Sequence, residues 1–379
     1  MELGQYYTPK TFSTLLIESM LSTKADYVLD IGCGQASLLE AARGRWKKAK
    51  LIGYDIDPTN YNLQGENLHI GFGDGLDPDL SNKILDNFGY IDISVANPPY
   101  TSVEVNKNII RILKLASLYE CIPKNIKKLP AEIVFLAQNL LVLKTEGELG
   151  AILPASIISG EKWKGLREYL ITEKSIDKVI QLPNKAFNKT EAATFAVNFT
   201  NKKPNKHAIS LLSFDNNETL KINYKSGIKR LDYLYHAHKK LSNHKPIPNT
   251  VILFRGNKSS KSLRSGTSKF IHTSDLKSIF QTLSFNYFKY PKGTKTARKG
   301  DFIVSRVGSR CIGKAAYINE GEIEVSDCIM VLRNLGKERY TSLFTSNNFY
   351  EKTSHDALGT GAKYLTFDII KEALEIHEL

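Results

Sequence analysis

The sequence predicts an α/β fold with a mostly parallel sheet, followed by a smaller, β-rich α+β domain. Residues 25–200 alternate short apolar strands with helical stretches, which is the pattern of a sheet covered by helices. A polar segment around Pro204 interrupts this pattern, and short β-like segments separated by Gly, Ser and Lys follow it. We therefore predict a first domain at 1–205, a basic connection at 206–235 and a second domain at 236–379.

Apolar runs of strand length recur along the chain. In the first domain we expect strands at Tyr27–Ile31, Leu51–Asp55, Leu68–Phe72, Ile91–Ala96, Leu149–Leu153, Ile176–Leu182 and Thr194–Thr200. Helices are expected there at Ala36–Ala42, Glu132–Leu143 and Glu161–Ile171. The second domain has shorter runs, with strands expected at Thr250–Phe254, Phe270–His272, Asp301–Val304, Ala315–Ile318 and Cys328–Leu332.

The overall composition is that of an ordinary globular protein, with 42% hydrophobic and 24% charged residues. The four cysteines are scattered and form no Cys-x-x-Cys pair, so we expect neither a zinc site nor a disulfide framework, and no metal cofactor. No apolar run is long enough to span a bilayer, and the N-terminus is too polar for a signal peptide. We therefore expect a cytoplasmic protein without a membrane partner.

The positive charge is concentrated in the middle of the chain. The formal net charge is +13, and residues 201–300 alone hold 21 Lys and Arg against 4 Asp and Glu. Such a one-sided distribution favours binding to a polyanion, because neutralised phosphates release their counterions. Double-stranded DNA is the partner that we expect, and a basic interdomain surface without a ligand is the alternative.

A glycine-rich turn follows the first predicted strand. Asp30, Gly32 and Gly34 form an Asp-x-Gly-x-Gly pattern at the point where that strand ends. Glycine lets the backbone approach a ligand closely, and open α/β sheets bind their ligands at this edge. The spacing is neither that of a dinucleotide fingerprint nor that of a P-loop, since no Gly-Lys-Ser/Thr follows. It favours an adenosyl ligand that has no pyrophosphate.

Carboxylates end the next two predicted strands. Asp55, followed by Ile56, closes the second strand, where an acidic residue typically accepts hydrogen bonds from ribose hydroxyls. Asp74 and Gly75 close the third strand, where a carboxylate could accept a hydrogen bond from an adenine amino group. Acidic residues are also common in turns, so each signal alone is weak. Together with the glycine turn they are typical of a class I, Rossmann-like methyltransferase fold that binds S-adenosylmethionine.

The fourth predicted strand runs directly into the tetrapeptide Asn97-Pro98-Pro99-Tyr100. Two prolines fix φ and remove two backbone donors, so the loop is rigid and presents carbonyl groups. If the Asn97 side-chain oxygen and the Pro98 carbonyl accept both N–H bonds of an aromatic amine, its lone pair becomes available for attack on a sulfonium methyl. Tyr100 offers a flat face on which a base can stack. The alternative is an ordinary Pro-rich turn after a strand.

These motifs and their order resemble the gamma-class amino-methylating DNA methyltransferases of restriction-modification systems, over residues 4–202. Gly4–Pro9 looks like the N-terminal motif of that family, which implies that Tyr7, Thr8 and Pro9 line the methionine end of the cofactor. The Pro-Pro-Tyr form of the tetrapeptide is typical of enzymes that act on adenine N6, although amino-cytosine methylation is still open. The resemblance therefore implies methyl transfer from S-adenosylmethionine to adenine in DNA.

A further segment resembles a family motif whose aromatic residue contacts the extruded base. It covers Ala186–Thr190 and the strand after it, and it makes Phe187 the partner of Tyr100. By this resemblance, the two rings would clamp a flipped adenine. Base flipping is also required physically, because N6 cannot reach the sulfonium methyl while the base is stacked in a duplex.

The second domain resembles the target-recognition domain of type I restriction specificity subunits. The resemblance rests on Lys269–Leu276, Lys299–Ser309, Ile312–Tyr317, Ser326–Ile329 and Gly359–Thr366. It implies sequence-specific DNA binding, although the residues that read bases vary within that family. The cationic residues at which we expect DNA contacts are Arg255, Lys258, Lys261, Arg264, Arg298 and Arg306. Because no nuclease signature is found, a restriction or specificity partner would be a separate protein.

Other functions are open if the tetrapeptide is taken alone. Protein glutamine methyltransferases use a similar loop, but they carry a helical domain before the glycine motif, where this chain has only about 25 residues. Methylation of an RNA base would also fit a positive surface. A DNA-binding module without catalysis is the third alternative, which the intact tetrapeptide and the three carboxylates disfavour.

Overall fold

The protein is described by a computed structural model. It covers residues 8–62, 65, 67–183, 186–187, 193–205, 208–215, 218–240, 247–248, 250–308, 310–358 and 363–375. The chain divides into two compact units, Met1–His236 and Ala237–Leu379. Tyr7 of the predicted cofactor motif lies outside the described residues.

Strands form the centre of the first unit. In chain order, those within the described residues are β1 (Tyr27–Ile31), β2 (Lys50–Asp55), β3 (Leu68–Phe72), β4 (Ile91–Ala96), β5 (Ser102–Glu104), β6 (Lys128–Pro130), β7 (Leu143–Pro154), β8 (Ser175–Gln181), β9 (Thr194–Thr200), β10 (Ala208–Ser213) and β11 (Thr219–Asn223). β5 and β6 pair with each other, and the other strands form one sheet in the order β11–β10–β8–β9–β7–β4–β1–β2–β3.

The direction of the strands follows from the segments that connect them. β1, β2, β3, β4 and β7 are parallel to their neighbours among these five, because crossover segments join them. β9 lies between β7 and β8 and is antiparallel to both. The central strands bury nearly all of their side chains, as strands covered on both faces do. The predicted α/β class with a mostly parallel sheet is confirmed.

Helices connect these strands. In chain order they are α1 (Lys10–Ser19), α2 (Ser37–Arg45), α3 (Leu80–Phe88), α4 (Lys107–Leu115), α5 (Ala131–Val142), α6 (Ala155–Ser159), α7 (Lys164–Thr172), α8 (Tyr224–Lys229) and α9 (Tyr233–Lys240). The helix predicted at Glu161–Ile171 is a short 3-10 turn, Glu161–Trp163, followed by α7. Among the described residues, no helix has both the length and the apolar character needed to cross a membrane.

Apolar side chains cover the large sheet on both faces. Successive side chains of a strand point to opposite faces, so β1 contributes Val28 to one core and Leu29 to the other. Leu39 of α2 packs in the same core as Val28, and Phe135 of α5 packs in the same core as Leu29. Burying one such side chain contributes about 1.5–3 kcal/mol, so these two layers hold the sheet edge that carries the functional residues.

Two strands, β10 and β11, extend the large sheet from within 206–235, the segment that the sequence predicts as a basic connection. β10 pairs in parallel with β8, and β11 pairs with β10. Ile209 and Leu211 of β10 are fully buried, so an alternating strand pattern is present, but surrounding lysines dominate the composition of the segment. The first unit therefore ends at His236 in the structure.

The second unit consists of short strands and helices. The strands are β12 (Ile252–Arg255), β13 (Phe270–Ile271), β14 (Phe280–Ser284), β15 (Thr296–Arg298), β16 (Phe302–Ser305), β17 (Ala315–Glu320), β18 (Glu322–Val325) and β19 (Ile329–Arg333). They form a sheet in the order β12–β19–β16–β17–β14 and another in the order β13–β18–β15. The helices are α10 (Ser260–Arg264), α11 (Lys337–Thr345), α12 (Asn348–Asp356) and α13 (Phe367–Leu374). This arrangement agrees with the predicted β-rich α+β fold.

Candidate functional site

A cavity of about 560 Å³ opens beside the carboxyl ends of β1 to β4. A volume of this size is typical of small-molecule sites, and parallel sheets bind ligands at this edge. Ten residues that the sequence predicts for cofactor or substrate line it. They are Thr8, Asp30, Gly32, Gly34, Asp55, Ile56, Asp74, Gly75, Asn97 and Pro99.

The glycine turn after β1 brings the main chain against this cavity. Gly32 and Gly34 have φ values of 77° and 48°, which residues with a Cβ adopt only with strain. A Cβ on Gly32 would also lie 3.0 Å from the ring of Phe135. The Gly32 amide donates to the Tyr54 carbonyl at 2.7 Å, which fastens the turn to β2. Both conformation and space therefore require glycine at position 32.

Asp55 ends β2 and is only 5% exposed. Its Oδ2 accepts a hydrogen bond from the Gly34 amide at 2.7 Å, and its Oδ1 accepts one from the Asp57 amide at 2.8 Å. Carboxylate oxygens have further lone pairs, so the group can also accept hydrogen bonds from ligand hydroxyls. The two backbone donors fix its orientation and join the glycine turn to the end of β2.

Asp30 lies in the cavity wall and is 2% exposed. Its Oδ1 has no hydrogen-bond partner among the described residues. Burial raises the pKa of this carboxyl well above its ordinary value, and the nearby charge of Asp55 raises it further. An unpartnered buried carboxyl is costly, so a cationic group of a ligand at this position would be stabilised.

Phe135 of α5 forms a wall of the cavity that the sequence did not predict. A Cβ on Gly75 would lie 2.4 Å from its ring, so glycine and phenylalanine pack directly together. The adjacent Asp74 accepts a hydrogen bond from the Leu76 amide at 2.9 Å, which shapes the turn after β3. Sequence reasoning missed Phe135 because α5 is buried on nearly all sides, and its pattern does not show which side meets the cavity.

The tetrapeptide begins directly after β4, at the rim of the same cavity. Asn97 Nδ2 donates a hydrogen bond to Thr8 Oγ1 at 2.9 Å, and the Tyr100 hydroxyl donates to Asn97 Oδ1 at 3.3 Å. Pro98 is buried, whereas Pro99 and the Tyr100 ring are half-buried. The amide nitrogen of Asn97 thus points to Thr8, and its oxygen points to the Tyr100 hydroxyl.

A comparison of the sequence with known protein families shows to which family the chain belongs. The profile described as N-6 DNA Methylase matches residues 1–279. The chain belongs to the N-6 DNA methylase family. This match includes every strand that ends at the cavity, whereas most of the second unit lies beyond its end. The family prediction is confirmed, and the resemblance of the second unit to specificity subunits is still a prediction.

Relatives of this N-6 DNA methylase are named as restriction-modification proteins. The type I restriction enzyme MpnII methylase subunit from Mycoplasma pneumoniae is 27% identical over 215 residues, covering 50% of this chain and 39% of that protein. The type II methyltransferase M.HincII from Haemophilus influenzae is 24% identical over 241 residues, covering 61% of this chain and 42% of that protein. The chain therefore spans about two fifths of the length of these relatives.

A solved structure shares the fold of this N-6 DNA methylase. The crystal structure of the type IIG restriction endonuclease BpuSI matches 97% of this chain and 58% of that chain, with a TM-score of 0.53 and 13% identity. At this identity the similarity concerns the fold alone. The match extends over both units of this chain.

Phe187 is placed differently from the predicted clamp. Its side chain is 2% exposed and packs in the core, with its ring centroid 5.8 Å from that of Phe12. Phe187 is not among the residues that line the cavity. Its apolar ring is buried against α1 instead. A stacking role would require the ring to leave this packing. Pro9 is exposed just before α1 and is also absent from the cavity wall.

The predicted DNA contacts of the second unit differ in their surroundings. Arg255, Lys261, Arg264 and Arg298 are exposed. Lys258 Nζ lies 2.8 Å from the buried carboxylate of Glu324, so it neutralises an internal charge.

Arg306 is the least exposed of the predicted DNA contacts. Its guanidinium lies over the ring of Tyr364, 5.8 Å from the centroid. Burial lowers the pKa of Arg306, and the nearby Arg255 lowers it further. A phosphate bound beside these two cations would stabilise both of them.

Proposed function

We propose that this N-6 DNA methylase transfers a methyl group from S-adenosylmethionine to the exocyclic N6 of adenine in double-stranded DNA. The observation that carries this proposal is the Asn97 amide, oriented by Thr8 at the rim of a cavity that Asp30, Asp55 and Asp74 line. An oriented amide oxygen next to an adenosyl-sized cavity is what methylation of an aromatic amine requires.

The residues present fit S-adenosylmethionine. Gly32 and Gly34 leave room for close approach of a ligand, and Asp55 has lone pairs for the ribose hydroxyls. Asp74 lines the cavity, and its carboxylate could accept a hydrogen bond from the adenine amino group of the cofactor. The cofactor is cationic, and the unpartnered oxygen of the buried Asp30 suits a positive group. When bound, the cofactor supplies an electrophilic methyl group.

The loop residues prepare the target nitrogen. Asn97 Oδ1 accepts one N–H of the amine, and the Pro98 carbonyl accepts the other, so the nitrogen lone pair is withdrawn from the ring and directed at the methyl group. Thr8 keeps the Asn97 amide from rotating, which preserves an acceptor on the substrate side. Catalysis then rests on positioning and electrostatics, without a covalent enzyme intermediate. One of the two N–H protons then passes from the amine to water, which leaves a neutral methylated amine with a single N–H.

The target base must leave the duplex to reach this loop. The Tyr100 ring is half-buried beside Asn97 and offers a face for stacking of the extruded base. In the structure the Tyr100 hydroxyl occupies Asn97 Oδ1, so the incoming amine replaces this hydrogen bond. With Phe187 in the core, Tyr100 carries the stacking in this proposal.

The second unit is proposed to recognise the DNA sequence. Its exposed cations and the charge excess of residues 201–300 support binding to a phosphate backbone. The names of the relatives, which include a type I methylase subunit, support membership in a restriction-modification system with separate specificity or restriction proteins.

The test measures methyl transfer from tritiated S-adenosylmethionine to three substrates in parallel. They are duplex DNA of varied sequence, RNA, and a translation release factor as the substrate of a protein glutamine methyltransferase. We expect label in adenine of DNA. Asn97→Ala should abolish transfer while cofactor binding persists, and Asn87→Ala, an exposed asparagine on α3, serves as the matched control. Label in RNA or protein alone, or near-normal turnover of Asn97→Ala, would overturn the proposal.

A further inference from the structure

The segment that joins β14 to β15 presents an aromatic side chain to solvent. We call Phe285–Lys295 the 285–295 loop. Tyr287 in this loop is 68% exposed, the largest value among the exposed large hydrophobic residues that the structure describes. An aromatic ring left in water forgoes the stabilisation of burial, which is on the order of 1.5–3 kcal/mol. Such exposure is therefore informative when other features of the same surface point to a partner.

The other aromatic residues of the 285–295 loop pack internally. The rings of Phe288 and Tyr290 lie 6.2 Å apart, and the Lys269 ammonium lies over the Phe288 ring at 5.2 Å. The Tyr290 hydroxyl donates a hydrogen bond to the Lys269 carbonyl at 3.1 Å. Phe288 and Tyr290 thus fix the loop against the neighbouring segment, whereas Tyr287 has no ring contact of this kind among the described residues.

Main-chain hydrogen bonds hold the loop at both ends. The Phe285 amide donates to the Glu320 carbonyl at 2.9 Å, and the Val325 amide donates to the Lys295 carbonyl at 3.0 Å. A turn in between is closed by the Thr294 amide, which donates to the Pro291 carbonyl at 3.1 Å. A surface that is ordered before binding loses less conformational entropy when a partner docks.

The charge along this stretch of the sequence has one sign, although Glu322 and Glu324 of β18 lie near Tyr290. Residues 276–300 contain six Lys and Arg and no Asp or Glu. Lys289 and Lys292, on either side of the fixed Tyr290, are exposed. Among the described residues neither of these two lysines forms an ion pair, in contrast to Lys258, which pairs with Glu324. The loop thus combines an exposed aromatic ring with two exposed lysines.

We propose that the 285–295 loop is a docking surface for duplex DNA, with Tyr287 packed against the sugar–base surface of a groove and Lys289 and Lys292 on flanking phosphates. This inference rests on the proposed function, because it names the element by which the second unit holds the DNA substrate. Lysines alone would suit any polyanion. The exposed ring favours nucleic acid, since sugars and bases provide flat apolar surface between the charges.

The experiment measures binding of a fluorescent mixed-sequence duplex to the full-length protein as the salt concentration rises. Lys289→Ala and Lys292→Ala should each reduce the slope of log K against log salt by about 0.9, since each lysine neutralises one phosphate. Tyr287→Ala should weaken binding about tenfold with no change of slope, because the lost contact is uncharged. A photo-crosslinking amino acid at position 287 should capture DNA.

Matched controls come from exposed residues elsewhere. Tyr90→Ala removes a ring that is 62% exposed in the first unit, and Lys371→Ala removes an exposed lysine on α13. Both should leave affinity and slope unchanged, and thermal melting checks that every variant is folded. Unchanged binding by all three loop variants, with wild-type methylation of DNA intact, would refute the loop assignment alone. Capture of polyglutamate or acidic vesicles in place of DNA would refute it as well.

Loss of the proposed function gives a different result. A wild-type protein that methylates RNA or protein and binds no duplex would overturn both proposals together.

Discussion

The hydroxyl of Thr8 determines which way the Asn97 amide faces. It accepts from Asn97 Nδ2 at 2.9 Å, and Thr8 itself is 8% exposed, so few other partners can reach that nitrogen. Without an acceptor there, the amide could rotate by half a turn and present a donor to the substrate amine, which would oppose lone-pair release.

Thr8→Val should therefore lower kcat, by at least tenfold, while Thr8→Ser retains most of the activity, because serine keeps the acceptor and valine keeps only the shape. Initial rates with saturating cofactor and DNA measure this difference, and calorimetric titration of the cofactor separates it from weakened cofactor binding. Equal kcat values for the valine and serine variants would contradict the positioning role.

Glu132 in the first turn of α5 gives a pH-dependent stability. It is 4% exposed, its Oε2 has no partner among the described residues, and burial raises its pKa from 4.5 to about 7. The folded state therefore keeps the proton up to about pH 7, whereas the unfolded chain releases it near pH 4.5. Stability from this group is lost as the pH rises through that interval.

Glu132→Gln should accordingly raise the free energy of unfolding at pH 8, by up to about 3 kcal/mol, since each pKa unit corresponds to about 1.4 kcal/mol. At pH 4.5 the variant and the wild type should be similar. Urea denaturation at both pH values is the measurement, with Glu168→Gln on the exposed face of α7 as the control. A gain that is the same at both pH values would rule out titration of Glu132.

Residues whose type and position indicate a chemical role could be predicted from the sequence, and residues without such an indication could not. Asp55 and Asn97 follow strands in a recognisable order, and both line the cavity. Phe135 also lines it but is one apolar residue within an apolar helix. Phe187 is the opposite case. A family motif predicts it as a site residue, whereas in the structure it packs against Phe12 in the core.

At the scale of elements, α1 is held at its C-terminal end by a single guanidinium. Arg45 donates hydrogen bonds to the carbonyls of Ile17, Glu18, Met20 and Ser22, at 2.7–3.0 Å. Ile17 and Glu18 lie in the last turn of α1, where carbonyl groups lack full hydrogen bonding within the helix and a cation suits the helix dipole, whereas Met20 and Ser22 follow the helix. Since Thr8 lies two residues before α1, this contact helps to keep the helix in place next to the cavity.

Arg45→Met should lower the free energy of unfolding by about 2 kcal/mol, because charged donors to several carbonyls are lost at a partly buried site. Chemical denaturation measures the change. Arg111→Met, which removes an exposed ion pair with Asp79, should cost less than about 1 kcal/mol. Equal effects of the two substitutions would show that Arg45 acts as an ordinary surface residue.

Most strands could be predicted, because burial on both faces leaves short segments rich in apolar residues, such as Tyr27–Ile31. α1 was not predicted, since its polar residues and short length give a weak pattern. β10 and β11 were hidden by the lysines near them in sequence, and their role depends on the pairing of β10 with β8, a contact distant in sequence. Short-range patterns do not encode such pairing.

For the whole molecule, the cavity belongs to the first unit, and each unit has its own cores. A ligand that binds only the folded first unit stabilises that unit by about 2.7 kcal/mol at a hundredfold excess over Kd. Saturating S-adenosylhomocysteine should therefore raise the melting temperature of one calorimetric transition and leave a second unchanged. A single transition that moves as a whole would show that the units unfold together.

The two strands that extend the large sheet also protect it from other molecules. A strand without a neighbour exposes a row of N–H and C=O groups, which invites edge-to-edge aggregation. β10 covers that row on β8, and β11 then forms the margin, short and carrying Lys221. A chain ended after residue 205 should therefore aggregate in light scattering, whereas one ended after residue 236 should stay monodisperse. β10 and β11 thus shield the edge of the large sheet, and the segment that contains them also contributes to the positive charge of residues 201–300.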